Sequence, residues 1–135
     1  MHRGFLLIAT ILGALSVGLG AFGAHGLKKI VPPETVASFE TAVRYQFYHV
    51  FALLATAILY EKFPEKFLRW AGNCFLIGIL LFSGSLYAMA IMDATEMVGK
   101  KSIGIVTPFG GLFFIAGWLL LFFGIFKRRT PLPGA

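Results

Sequence analysis

Three uncharged stretches dominate the pattern of the chain: Gly4 to Ala24, Trp70 to Met92 and Ser102 to Phe126. Each has the roughly 20 residues that a helix rising about 1.5 Å per residue needs to cross a bilayer. A fourth apolar run, Val50 to Tyr60, is closed by Glu61 and Lys62 and is too short by itself. Counting back from Glu61 starts this span near Ala42, which draws Gln46 and His49 into the membrane. His49 then lies roughly 10 Å below the surface from which its helix enters. Polar groups at such a depth turn toward protein or water rather than lipid. The predicted spans are about 4–24, 42–60, 70–92 and 103–126.

Between the first two spans, Pro32-Pro33 breaks the chain and Glu34 puts an acid in the first turn of a new helix. Val36, Phe39, Val43 and Phe47 then recur at helical spacing. This predicts a short amphipathic interfacial helix that runs or kinks into the second span. The turn Glu61 to Lys66 is short, so spans two and three are expected to be antiparallel neighbours. The fold class that follows is all-α: a four-transmembrane-helix antiparallel bundle in one integral membrane domain over 1–129, with 130–135 a disordered tail.

Small residues mark how these helices meet. Ala9, Gly13, Ser16, Gly20 and Gly23 form a stripe on span one, and Cys74, Gly78, Ser85 and Ala88 form one on span three. Gly110, Gly117 and Gly124 stand seven apart on span four. Such stripes let another helix approach closely, either within the bundle or in a homo-oligomer or another membrane protein. On the second helix Ser38, Thr41, Tyr45, His49, Thr56 and Tyr60 fall within about 100° of one another, so one side is wetter than the other.

Composition agrees with this placement: 58% of the 135 residues are apolar, 13% are charged, and mean hydropathy is +0.82. A soluble domain of this length has too little interior to hide so much apolar surface. The excess of 12 Lys and Arg over 6 Asp and Glu sits at span ends, which points to lipid headgroups and orientation rather than nucleic acid. Seven basic residues flank the start, the turn after span two and the tail, against five on the other side, so both termini are expected in the cytoplasm. Met1-His2-Arg3 and the following apolar run resemble a secretory signal, but the run is long and more spans follow, so it is read as an uncleaved first span. The single Cys74 excludes an intrachain disulfide and reads as a packing residue.

Counted from the non-cytoplasmic side, His25 ends span one and His49 lies roughly 10 Å in. Ser85 lies about 12 Å in and Thr107 about 8 Å in. With Arg44, Tyr45, Gln46 and Ser83 nearby, these residues make a predicted polar layer. One reading is a vestibule that binds a small ligand or lipid. The other is interhelical hydrogen bonding, with Tyr45 or His49 bonded to Ser85. An alternative function is a subunit of an oligomeric small-solute, ion or proton transporter with His49 titrating. The glycines from Gly18 to Gly26 lack the Lys-Ser or Lys-Thr of a phosphate loop, and His25 and His49 lack the spacing of a zinc helix. Ser83 and Ser85 lack a nucleophile elbow and a carboxylate to orient His49 as a base. No catalytic residue, metal or cofactor is assigned, and membrane lipids are the expected partners.

Four segments in order carry a resemblance. They are Gly20-Ala21-Phe22-Gly23-Ala24-His25-Gly26-Leu27, Arg44-Tyr45-Gln46-Phe47-Tyr48-His49, Phe82-Ser83-Gly84-Ser85-Leu86-Tyr87, and Thr107-Pro108-Phe109-Gly110-Gly111 with Gly117-Trp118. Together they resemble the small membrane-protein family catalogued as domain of unknown function 423, over Arg3 to Phe126. The resemblance implies a multi-pass protein of the bacterial cell membrane, with relatives in eukaryotic membranes and no established activity.

Overall fold

The computed structural model describes residues 1–127, all of whose regular elements are helical. The expected tail at 130–135 lies outside the described residues. Helix α1 spans Arg3–His25, and a short 3-10 turn Leu27–Lys29 leads to α2, Pro33–Leu59. Helix α3, Glu65–Gly78, continues through a π-helical turn, Ile79–Ser83, into α4, Gly84–Ala94, so the three form one rod. A short α5, Lys100–Gly104, precedes α6, Val106–Phe126. Four helical segments are long and apolar enough to cross a membrane, and the chain is a multi-pass bundle.

The amphipathic stretch ahead of the second span is not a separate element. Pro33 supplies the first helical residue, Glu34 sits in the first turn, and the helix continues unbroken for 27 residues. At about 1.5 Å per residue that is ~40 Å, against a hydrocarbon core of ~30 Å. The surplus lets the first turns of α2 stand out of the apolar layer, with their backbone hydrogen bonds made inside the helix.

Small residues set the spacing of the helices. Along α1, Gly23 meets Phe39, Gly20 meets Val43 and Gly13 meets Val50, while the His2 backbone N–H donates to the Ala57 carbonyl at 2.9 Å. These pairs run α1 against α2 in opposite directions. The His2 ring also caps α1 by accepting from the Phe5 N–H at 3.1 Å.

Helix α6 lies along the α3–α4 rod through three of its glycines, Gly110, Gly117 and Gly124. A Cβ on Gly124 would lie 2.8 Å from Leu68, one on Gly117 2.6 Å from the Phe75 ring, and one on Gly110 2.3 Å from the Phe82 backbone nitrogen. In return Gly78 of α3 makes room for the ring of Phe114. The stripe glycines Gly13, Gly20, Gly23, Gly78, Gly110, Gly117 and Gly124 thus face the chain's own helices.

The main core gathers Leu53 and Ala57 of α2, Leu68, Ala71 and Phe75 of α3, and Phe114 and Leu121 of α6, with Phe5 and Ala9 of α1. A second cluster at the other end joins Leu27 and Val31 to Val36, Phe39 and Ala90.

Candidate functional site

Where α2 and α6 face each other, a groove of about 860 Å³ opens on the side of the bundle. The two helices meet there ring on ring, unlike the backbone approach of α6 to α3. Tyr45, Tyr48, His49 and Phe51 come from α2, Phe82 from the π-helical turn, and Pro108, Gly111, Leu112, Phe114, Ile115 and Trp118 from α6. Spacings of three and four along each helix bring these residues to one face.

His49 is buried between the two helices, where its ring stacks on Phe114 with centroids 3.5 Å apart and planes within 5°. Its Nδ1 lies 2.7 Å from the Tyr45 carbonyl, which has no hydrogen to give, so Nδ1 donates. Its Nε2 accepts from the Trp118 indole N–H at 3.2 Å. Both ring nitrogens are therefore engaged, and the partners fix the neutral Nδ1–H tautomer. The Tyr45 ring lies 4.7 Å from Phe82 and 6.3 Å from Phe114, so aromatic rings tile the groove wall.

The other sequence candidates fall into separate places. Buried Gln46 donates to the Leu12 carbonyl at 3.0 Å and accepts from the Tyr87 hydroxyl at 2.8 Å, joining α1, α2 and α4. Ser83 donates to the Ala42 carbonyl at 2.7 Å. Ser85 donates to the Phe82 carbonyl at 2.9 Å, and its oxygen lies 2.6 Å from that of Thr107. A serine hydroxyl has one hydrogen, so Thr107 is the donor of that pair. His25 is exposed, and among the described residues it bonds only back to the Ala21 carbonyl of its own helix, at 3.1 Å. Arg44 is exposed.

The expected single layer is not formed. Ser85 pairs with Thr107, while His49 pairs with Trp118, eleven residues farther along α6 and ~16 Å away by helical rise. The helix ends are not level: α2 begins at Pro33, eleven residues before Arg44, and α6 at Val106, one residue before Thr107, so equal counts along the chain do not give equal depths. The expected bond of Tyr45 or His49 to Ser85 is replaced for the same reason. Neither serine hydroxyl is bonded to His49, since Ser83 bonds the Ala42 carbonyl and Ser85 the Phe82 carbonyl.

Some important partners had no signal in the sequence. Trp118 and Phe114 look like lipid-facing residues of a uniformly apolar helix, yet they are the partners of His49. Asp93 at the end of α4 accepts from the Thr35 hydroxyl and pairs with Lys100, which ties the start of α2 to α4 and α5. At the opposite end the Met1 ammonium pairs with Glu61, and Arg69 Nε donates to the Tyr60 hydroxyl at 2.9 Å.

A family model described as "Protein of unknown function (DUF423)" matches residues 19–111. The chain is 38% identical over 130 residues to a UPF0382 membrane protein of Haemophilus influenzae, covering 96% of this chain and 99% of the relative. It is 38% identical to UPF0382 membrane protein YwdK of Bacillus subtilis, covering 87% of this chain and 91% of that protein. It is also 34% identical to UPF0382 inner membrane protein YgdD of Escherichia coli, covering 94% and 92%. No solved structure matches the chain. A family match over most of the bundle, near-full-length relatives that are membrane proteins, and four helices fit to span lead to one assignment: the chain is a small integral membrane protein belonging to the DUF423 family.

Proposed function

We propose that the chain is a non-enzymatic protein of the inner or plasma membrane whose groove between α2 and α6 holds an apolar molecule dissolved in the bilayer. The observation that carries this reading is the groove itself: about 860 Å³, open along the bundle, walled by rings. Pockets of this size and lining suit a chain-like apolar ligand. The E. coli relative is named an inner membrane protein, and the basic residues favour both termini in the cytoplasm. The transporter alternative draws less support, because both nitrogens of His49 are already bonded within the protein.

Gly111 lines the groove, and a Cβ built on it meets only a Phe82 ring atom, at 4.0 Å. Gly111→Leu therefore projects into the groove without forcing the helices apart. Gly18→Leu, where a Cβ meets nothing within 4 Å, serves as the control. Native mass spectrometry from mild detergent should show an apolar adduct on the wild type and on Gly18→Leu, and at least a tenfold weaker one on Gly111→Leu. A wild type free of adduct, an adduct that Gly111→Leu retains, or a dimer whose contact fills the groove would each reject the proposal.

A further inference from the structure

Resting on the groove reading above, the geometry points to an anionic glycerophospholipid as the occupant. Its phosphate would lie at Arg44, its ester region at the Tyr45 and Tyr48 hydroxyls, and one acyl chain along Phe114 and Trp118.

The order of groups along α2 motivates this choice. At 100° per residue Arg44 lies within about 40° of both Tyr48 and Phe51, which line the groove. Side chains on a helix lean toward its N-terminus, so the Tyr48 hydroxyl is directed toward the Arg44 level. Three chemistries therefore succeed one another from the start of α2 inward: an exposed guanidinium, phenol hydroxyls, then apolar rings. Neither the Tyr45 nor the Tyr48 hydroxyl makes a hydrogen bond among the described residues, so both are free to donate to ester carbonyls. A phospholipid presents the same sequence of groups: an anionic phosphate, two ester carbonyls, then hydrocarbon.

Charge selects within that class. No lining residue of the groove is charged, and Arg44, exposed and one turn before Tyr48 on the same face of α2, is the basic residue that this face brings next to it. Glu40, one turn before Arg44, lines a different groove with Lys28. An Arg at this position binds a phosphate through two parallel hydrogen bonds. A lipid held in this way comes from the leaflet that the start of α2 enters, the one opposite the chain's N-terminus.

The test uses the sequence's two tryptophans. Trp118 lines the groove and Trp70 lies on α3, so the Trp70→Phe chain carries one reporter inside the site. It is reconstituted in phosphatidylcholine vesicles, where brominated chains quench an indole that they touch. At equal mole fraction, brominated phosphatidylglycerol should quench Trp118 with about fivefold higher apparent affinity than brominated phosphatidylcholine, the ratio that one basic group near the surface confers.

Arg44→Gln should bring that ratio to about one, with quenching by both lipids kept. Lys29→Gln removes an equal charge from the exposed 3-10 turn and should leave the ratio unchanged. A ratio that survives Arg44→Gln, or that falls equally with Lys29→Gln, overturns the headgroup assignment. In either case Gly111→Leu still separates the two readings, because it lowers quenching by both lipids if the groove is occupied. If Gly111→Leu leaves quenching by both lipids untouched, the groove reading itself is overturned.

Discussion

At the scale of single residues, the glycines report how the helices pack. Gly110 is the position where a side chain has least room, since a Cβ there meets backbone, which cannot rotate away. Gly110→Ala should lower stability by about 1 to 3 kcal/mol in detergent unfolding, the range for an overfilled contact. Gly18→Ala, on open surface, should change it by no more than about 0.5 kcal/mol. The sevenfold spacing of Gly110, Gly117 and Gly124 was fully legible in the sequence, because a small residue serves the same purpose in any close helix pair. The partnership of His49 with Trp118 was not legible. Nothing in an apolar helix says that its one indole N–H reaches a histidine on another helix.

Elements show where local pattern runs out. The helical period and the Pro33 start marked α2 well, and its continuity came down to whether a break offered any gain. The π-helical turn at Ile79–Ser83 had no such mark: Ile-Leu-Leu-Phe-Ser reads as ordinary helix. Its extra width follows from tertiary contacts, with Gly110 against the Phe82 backbone and Ser83 bonded to the Ala42 carbonyl. Ser83→Ala should therefore lower stability by about 0.6 to 2 kcal/mol, the range for an interhelical hydrogen bond in a membrane protein. Ser38→Ala is the comparison, because its hydroxyl bonds the Glu34 carbonyl of the same helix. Its change should stay within about 0.5 kcal/mol in the same unfolding assay.

Across the whole molecule, charges at span ends were read as orientation signals, and some of them are also ties. Asp93 holds the first turn of α2 through Thr35 and the start of α5 through Lys100. Asp93→Ala should free those ends. Amide hydrogen exchange should then quicken by about tenfold or more through Lys100–Gly104, while the core around Leu53 and Phe75 exchanges as before. Four spans and their lipid setting could be foreseen from segment length and hydropathy. The groove could not, because its walls come from residues 45–51, Phe82 and residues 108–118, and only tertiary contacts bring those together.

That last fact concerns how the molecule comes into being. α1 with α2, and the α3–α4 rod with α6, are two hairpins that a ribosome delivers one after the other. The proposed berth for lipid lies on the seam where they close, beside the core that α2 shares with α3. Nothing can bind there until the second hairpin has arrived, and whatever then binds favours the closed pair over the parted one by mass action. Loading and assembly are thus a single equilibrium, so a bilayer poor in the right lipid should hold more of this protein in halves.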